Sequence, residues 1–552
     1  MRKISNPIED IIKKELIKSG IKNRSDLDSF KRKVAKKYKI PCPSNIELLL
    51  TYRKLIGKKG AKKSKTIERL LQIRPIRSLS GIVNVSLLTK PYPCPGKCIF
   101  CPTQKGIPKS YLEKEPAVQR AILNRFNPYL QVNNRLNSLK NIGHPIDKIE
   151  LRIIGGTWSY YPKNYQTWFV KECFRAANNF PNKVTAVSKI GKTKLEKLQN
   201  INKEARCRIV GIIIETRPDF IDVKEIKRLR KLGVTGVELG VQTLYDDILK
   251  LNKRGHKVFA TMKATRVLKD AGFKVSYQMM PNLPGSDFKR DIQMFQELFS
   301  NPDFKPDLLK IYPLALVKET NLYQTYYKRG EFKPYNQEKL LKLLIEIKKH
   351  IPYWCRIQRI IRDIPSEDIV EGGTKISNLR EIVQREMQKK GLRCKCIRCR
   401  EVKDDYHPRK KLYLFREDYE ASEGREIFLS FESKEDKRSK SKLKNTDRKL
   451  YALLRLRIPS QIFSKRKHFV PVLNNSAIIR EVHTYGQMSP LGAKPLSAQH
   501  RGLGKKLIKE AEKISREEFG LKKIAVISGV GVRQYYKKLG YKLKDTYMVK
   551  NL

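Results

Sequence analysis

Three groups of residues in the 552-residue chain have the types and spacings that chemistry needs. Cys94, Cys98 and Cys101 form a C-x3-C-x2-C loop. A short loop can turn three thiolates toward one point, enough to hold three irons of a 4Fe-4S cluster and leave the fourth open to a substrate. The next cysteine, Cys173, lies beyond a predicted strand, so the loop offers three ligands and not four. A three-cysteine zinc site completed from elsewhere is the other reading, although zinc loops usually come as two matched pairs. Cys394, Cys396 and Cys399 pack three more thiols together, with His407 within loop reach. Three sulfurs and one imidazole would complete a tetrahedral structural zinc site; a second iron-sulfur cluster or free thiols are the alternatives. In the third group Gln499, Gly502, Leu503, Gly504 and Lys505 open a predicted helix over 505–519. Glycines there expose consecutive N–H groups at a helix start, which binds phosphate.

These residues need a scaffold. From about residue 81 to 370, apolar strands alternate with amphipathic helices, the pattern of an α/β barrel or partial barrel. Strands are predicted at 81–88, 148–154, 183–187, 209–215, 236–241, 274–279 and 307–311. Chemistry in such a sheet gathers at the C-terminal ends of the strands, and the first cysteine loop follows the first strand. Gly155 and Gly156 end the second strand, and Glu215 and Gln242 end two later ones. Further strands at 411–415, 426–432, 449–457 and 476–484 precede the glycine loop.

Charge is the strongest global signal. With 118 Lys and Arg against 55 Asp and Glu, the net charge is +63, and such a surplus repels itself unless a polyanion is present. A heat-adapted surface or a lysine-rich genome would normally raise Glu with Lys, and here the acids have not kept up. Residues 1–80 read as a basic helical module. Lys13, Lys14, Lys18 and Lys22 recur at helical spacing, a basic loop spans 57–65, and Ile8, Ile11, Ile12, Leu16 and Ile17 supply an apolar face. The length calls for about two to four domains. No apolar run reaches the roughly 20 residues of a membrane span and no signal-peptide core is evident, so a cytoplasmic protein is expected. Ten cysteines, six of them in two clusters, argue for metal binding over disulfides; Cys42, Cys173, Cys207 and Cys355 read as plain thiols.

The C-x3-C-x2-C spacing resembles the radical S-adenosylmethionine superfamily, which implies that the amino and carboxylate groups of S-adenosylmethionine bind the open iron. Gly155-Gly156-Thr157 resembles that superfamily's glycine motif, with Thr157 where an acid is usual; Glu215 and Gln242 could bond ribose or methionine. Asn252-Lys253-Arg254-Gly255-His256, Met279-Met280-Pro281-Asn282-Leu283-Pro284-Gly285, Lys310-Ile311-Tyr312-Pro313 and Arg362-Asp363-Ile364-Pro365 narrow the likeness. Together they resemble the catalytic-subunit family of Elongator, over about residues 80–552. That family joins a radical domain to a Gcn5-related N-acetyltransferase domain, and the run from Gln499 to Gly504 is similar to the coenzyme A pyrophosphate loop of such domains. The resemblance implies that Glu481, Val482, His483 and Thr484 offer backbone groups to the pantetheine arm. It also implies that Tyr536 sits near the thioester sulfur, where a phenol can protonate a departing thiolate, although paired tyrosines such as Tyr535 and Tyr536 also serve as packing. Lys148 matches a lysine of the family that touches acetyl-CoA; by sequence alone it is an ordinary strand-edge lysine.

The architecture implied is α/β: a radical S-adenosylmethionine partial (β/α) barrel over 81–370 and a mixed α/β Gcn5-related acetyltransferase domain over 411–552. A cysteine-rich zinc-binding joint over 371–410 connects them, and the small basic helical module over 1–80 would bind tRNA. The implied activity adds a carboxymethyl group to carbon 5 of a wobble uridine in tRNA, using acetyl-CoA and a 5′-deoxyadenosyl radical, with an electron donor and Elongator-type subunits as partners. Two other classes compete. A protein lysine acetyltransferase would use the C-terminal domain alone, and its basic substrates sit oddly with the charge. A radical tRNA methylthiotransferase leaves the coenzyme A loop unexplained.

Overall fold

The structure, a computed structural model, describes residues 11, 15–17, 19–56, 64–181, 193–376, 378–403, 410–434, 448–486 and 502–552. The strand expected at 183–187, the side chains of Ile8, Ile12, Lys13, Lys14 and Lys18, the basic loop at 57–63, His407 and Gln499 lie outside the described residues.

Seven parallel strands form the first sheet in sequence order: β1 (Val83–Leu88), β2 (Lys148–Ile154), β3 (Arg208–Thr216), β4 (Gly236–Gln242), β5 (Lys274–Met279), β6 (Leu308–Ile311) and β7 (Arg356–Arg359). Parallel order forces a crossover after each strand, and helices fill those crossovers and cover the outer face. The helix Val223–Leu232 shows how sequence sets its limits: the Asp222 side chain accepts from the Glu225 amide at its start, and Gly233 takes the left-handed conformation at its end. Within the described residues β1 and β7 do not pair with each other, so the sheet is an open half-barrel.

The inner face carries charge. Glu150 and Arg152 on β2, Glu238 on β4, Lys274 on β5 and Lys310 on β6 all point inward. Buried charges persist only when paired. Here Lys274 lies 3.3 Å from Glu150, Glu150 lies 2.9 Å from Arg152, Arg152 lies 2.5 Å from Glu238, and Glu238 bonds Lys310.

The second sheet is mixed, in the order β13-β14-β12-β11-β10-β9-β8. Strands β8 (Tyr413–Ala421), β9 (Gly424–Ser433), β10 (Lys449–Ile458) and β11 (Ala477–Thr484) run antiparallel. The amphipathic helix Leu503–Glu517 then crosses over to β12 (Lys523–Val526), which lies parallel to β11, and β13 (Lys542–Lys544) and β14 (Tyr547–Asn551) close the far edge. β12 pairs with β11 only over Ala477–Ile479, so Glu481–Thr484 leave that ladder. A bulge opposite Arg455 and Leu456 lets Arg480 turn toward the barrel.

One apolar core runs from Val83 to Val549 through both sheets. At the seam Arg480 bonds Asp307 and, at 2.8 Å, Glu426, while Arg455 joins Glu481 at 2.9 Å; Asp307, Arg480, Arg455 and Glu426 are all buried. Lys274 bridges the same seam, 3.5 Å from Glu481. Gly529 packs so closely on β3 that a Cβ there would lie 2.0 Å from the Val210 carbonyl oxygen.

The N-terminal helices Arg24–Tyr38, Asn45–Ile56 and Lys65–Leu71 enclose a small separate core that includes Leu16, Leu27, Leu48 and Tyr52, whereas Ile17 is exposed. Arg53 docks this module by donating to the Lys140 carbonyl at 2.6 Å. No helix among the described residues is long and apolar enough to cross a membrane.

Candidate functional site

A cavity of about 1430 Å³ opens at the C-terminal ends of the barrel strands and is lined by Cys94, Cys98, Cys101, Gly156, Glu215 and Gln242. Six residues chosen from sequence therefore meet on one wall. Backbone bonds hold the cysteine loop in place: the Ile99 amide donates to the Asn252 carbonyl, and the Leu322 amide to the Ile99 carbonyl at 2.8 Å. The Thr157 hydroxyl lies 3.8 Å from the Cys94 sulfur.

Two guanidinium groups that sequence reasoning did not assign face these thiols. Arg254 donates to the Cys98 sulfur at 3.5 Å and to the Gly240 carbonyl. Arg217 is clamped by Asp219 at 2.9 and 2.8 Å, and its Nη1 is buried without a partner. A Cβ on Gly96 would touch that nitrogen and the sulfurs of Cys94 and Cys98 together, so cation and thiols surround one point. Burial, then the charges of Cys98 and Cys94, push the Cys101 thiol up to about 12. Three thiols around one point, beside a guanidinium nitrogen with no partner among the described residues, fit an iron-sulfur cluster, which would supply positive iron to the sulfurs and acceptor sulfides to the arginine. The spacing argues against a single zinc ion, whose tetrahedral thiolates would lie about 3.8 Å apart. Among the described residues the one three-ligand set within 4.8 Å is Cys394, Cys396 and Cys399.

The strand ends behave differently from one another. Gly155 has φ +126, and a Cβ would fall 2.2 Å from the Thr89 hydroxyl; its carbonyl already accepts from Thr89 at 3.0 Å and Tyr161 at 2.9 Å. Gly155 therefore packs the strand end, and Gly156 faces the cavity. Glu215 accepts from Tyr111 at 2.8 Å, Gln278 at 2.9 Å and Lys310 at 3.1 Å. Burial raises its pKa against the pull of Lys310. Burial also opposes charge on Glu238, but Lys310 and Arg152 outweigh it and hold that carboxyl at about 2. Gln242 adopts φ +77, a strained conformation for a residue with a side chain.

The residues expected to meet acetyl-CoA gather on the second sheet. Gly502 caps the helix Leu503–Glu517 in the left-handed conformation, and having no side chain it cannot itself cap the first amides. A Cβ on Gly504 would lie 3.2 Å from the Tyr535 hydroxyl, 3.7 Å from Val482 and 3.9 Å from Thr484. Leu503 is buried and Lys505 is exposed. Tyr535 is thus the tyrosine beside the glycine loop, 38% exposed, while Tyr536 is 6% exposed and packs edge-on to Tyr535 and Tyr541. Burial, then Tyr535, pushes the Tyr536 phenol well above its ordinary pKa. His483 bonds the Ser80 carbonyl at 2.6 Å, and Ser80 lines the cavity. Lys148 opens β2, at the end remote from the cysteine loop, and is not among the cavity-lining residues. Burial lowers its pKa.

Cys394, Cys396 and Cys399 sit where the short helix Ile397–Arg400 meets β7 and β10, and hydrogen bonds from Cys394 and Cys396 lower the pKa of the Cys399 thiol. The Ile397 amide donates to the Cys355 carbonyl at 3.0 Å, and Arg400 pairs with Glu432 at 2.6 Å.

Comparison with known proteins agrees with this geometry. Residues 92–298 match the Radical SAM superfamily, and residues 306–389 match the Radical_SAM C-terminal domain. The chain is 44% identical to a tRNA uridine(34) acetyltransferase of Methanocaldococcus infernus, over 100% of this chain and 99% of that protein. It is 36% identical to Elongator complex protein 3 of Homo sapiens, over 99% of this chain and 96% of that one. The solved structure of the archaeal Methanocaldococcus infernus Elp3 with an N-terminal deletion superposes with a TM-score of 0.70 at 45% identity, covering 86% of this chain and 100% of that chain.

Proposed function

The chain belongs to the family of tRNA uridine(34) acetyltransferases and Elongator complex protein 3, and from that premise we propose that it adds a carboxymethyl group to carbon 5 of the wobble uridine of tRNA. The observation that carries the reading is the cavity where Cys94, Cys98 and Cys101 face Arg217 and Arg254 beside Glu215 and Gln242. Cys94, Cys98 and Cys101 would hold a 4Fe-4S cluster, and Gly156, Glu215 and Gln242 would contact S-adenosylmethionine. When bound, these groups supply a 5′-deoxyadenosyl radical able to take hydrogen from the methyl of an acetyl group. A new carbon–carbon bond is what makes radical chemistry necessary.

The chain's own residues position and exclude. Arg254 holds the cysteine loop through the Cys98 sulfur, Arg217 is held beside it by Asp219, and the Tyr111, Gln278 and Lys310 contacts fix the Glu215 carboxyl. The helix start at Gly502–Lys505 would take the pyrophosphate of acetyl-CoA, and the backbone of Glu481–Thr484, beyond the stretch where β11 pairs with β12, would take its pantetheine arm. Tyr536, kept protonated by burial, suits the acid that meets the departing thiolate when the thioester is hydrolysed. Lys148 would contact acetyl-CoA from the barrel side. Cys394, Cys396 and Cys399 would hold a structural zinc ion, the ion their closeness suits. The domain limits proposed are 1–80, 81–370, 371–410 and 411–552; the shared apolar core makes the last two boundaries changes of topology and not gaps in packing.

Nucleoside mass analysis tests the proposal. Transfer RNA incubated with the chain, a reductant, S-adenosylmethionine and acetyl-CoA should yield 5-carboxymethyluridine at the wobble position. A methylthio adduct, or acetylation of protein alone, would overturn it.

A further inference from the structure

The lining of the same cavity includes Arg74, Arg77, Arg120 and Arg135, which the proposed chemistry leaves unused. They come from three elements: the short turn Pro75–Arg77, the helix Pro116–Leu123 and the helix Pro128–Asn141. Among the described residues none of the four pairs with a carboxylate, whereas most other arginines of this cavity do. Burial, then the neighbouring arginines, lowers the pKa of Arg77, Arg120 and Arg135, the last to about 10. Asp363 attracts Arg120 without bonding it, and guanidinium groups gathered in this way without a bonded carboxylate are stabilised by a bound anion.

The turn that carries two of them is built to hold its shape. Arg74 adopts φ +50, a conformation that costs a side-chain residue about 1 kcal/mol or more. The buried ring of His144 pins both ends of the turn: one nitrogen meets Gln72 at 3.0 Å and Ser78 at 2.9 Å, and the other meets the Ile73 carbonyl at 3.0 Å. Between the two arginines Ile76 stands 54% exposed on the cavity wall.

We infer that Arg74, Arg77, Arg120 and Arg135 form a subsite for consecutive backbone phosphates of single-stranded RNA, with Ile76 as the apolar surface for a base next to the one being modified. The inference rests on the reading of tRNA as substrate. Guanidinium groups spread over three elements match successive phosphates better than one compact pyrophosphate, and the helix start at Gly502 already suits the latter. A base must leave its stack to enter a cavity, and an exposed side chain beside the phosphate contacts is a common device for holding it out.

The test uses the full chain and a tRNA substrate, with affinity measured by fluorescence anisotropy across a salt series. The Arg77→Gln/Arg135→Gln variant should bind tRNA about tenfold or more weakly at low salt, and its logarithmic salt slope should fall by about 0.7 for each phosphate that is no longer neutralised. Arg77→Lys/Arg135→Lys keeps the charge and should recover most of the slope, which separates the removal of charge from misfolding. Ile76→Ser should weaken binding with the slope unchanged. Acetyl-CoA affinity, read by calorimetry, should match the parent in all three. An unchanged slope and affinity in the glutamine variant overturns the subsite, and so does a loss of acetyl-CoA binding in place of tRNA binding. A parent chain that neither binds nor modifies tRNA overturns the functional reading itself.

Discussion

Replacing Lys274 by Met should loosen the seam between the two sheets and change how stability responds to acid. Lys274 sits between Glu150 in the barrel, at 3.3 Å, and Glu481 on β11, at 3.5 Å. Burial opposes the charge on Glu481, yet Lys274 first and Arg455 second hold its pKa at about 2, against an ordinary 4.5. That gap corresponds to about 3 kcal/mol. Lys274 likewise leads the attractions that keep Glu150 below its ordinary range. Arg455 and Arg152 remain in the variant, and methionine avoids the cost of burying an ammonium, so the net loss at neutral pH should be about 2–4 kcal/mol. Because both carboxylates have depressed folded-state pKa values, their contribution is complete above the ordinary carboxylate range and is lost as pH falls from about 4.5 to about 2. The deficit of the variant should therefore be largest at neutral pH and close as the pH approaches about 2. Urea unfolding midpoints of parent and Lys274→Met between these limits give the comparison, and Lys274→Met/Glu481→Gln should recover about half the loss by removing one orphaned carboxylate. Equal midpoints at neutral pH, a deficit that persists at about pH 2, or a double variant no better than the single one would refute the reasoning.

Three further outcomes follow from the site. Cys98→Ser should abolish iron-sulfur absorbance and cleavage of S-adenosylmethionine while far-ultraviolet circular dichroism stays close to the parent's; a variant with full tRNA-modifying activity would remove the cluster from the mechanism. Cys396→Ser should lower bound zinc and thermal stability together, because a structural ion contributes folding energy, and unchanged metal content by mass spectrometry would count against the site. Tyr536→Phe removes one hydroxyl and almost no volume, so acetyl-CoA should still bind by calorimetry while its tRNA-stimulated hydrolysis slows about tenfold or more; parent rates would leave Tyr536 as packing.

The strands at 148–154 and 274–279 were legible to the residue, because apolar residues facing the core alternate with polar ones facing the cavity, the period of a strand with one buried face. β7 escaped notice. Three of its four residues, Arg356, Gln358 and Arg359, are polar and line the cavity, and so short a polar run looks like a loop. The cysteine loop was plain from spacing alone. Arg217 and Arg254 were not, because their role depends on strands far apart in sequence being brought to one wall. The inward charges on β2, β4, β5 and β6 follow the same rule: each strand contributes one or two charged residues, and only the barrel joins them. Spacing could not rank two adjacent tyrosines either. The short turn after Val530–Val532 decides that Tyr535 faces Gly504 and Tyr536 the core.

Asp307 illustrates what the seam forbids. It immediately precedes β6 of the barrel, has no exposed surface, and takes two of its counter-charges, Arg455 and Arg480, from the other sheet, the third being Lys269 of the barrel at 3.8 Å. Swinging the sheets apart would leave that carboxylate with Lys269 alone and split an apolar core, a cost of several kcal/mol. Among the described residues the seam thus opposes a hinge between the two sheets. The distance from the cysteine loop to the glycine loop is fixed when the chain folds, and control over when one chemistry meets the other falls to side chains, surface loops and the arriving RNA.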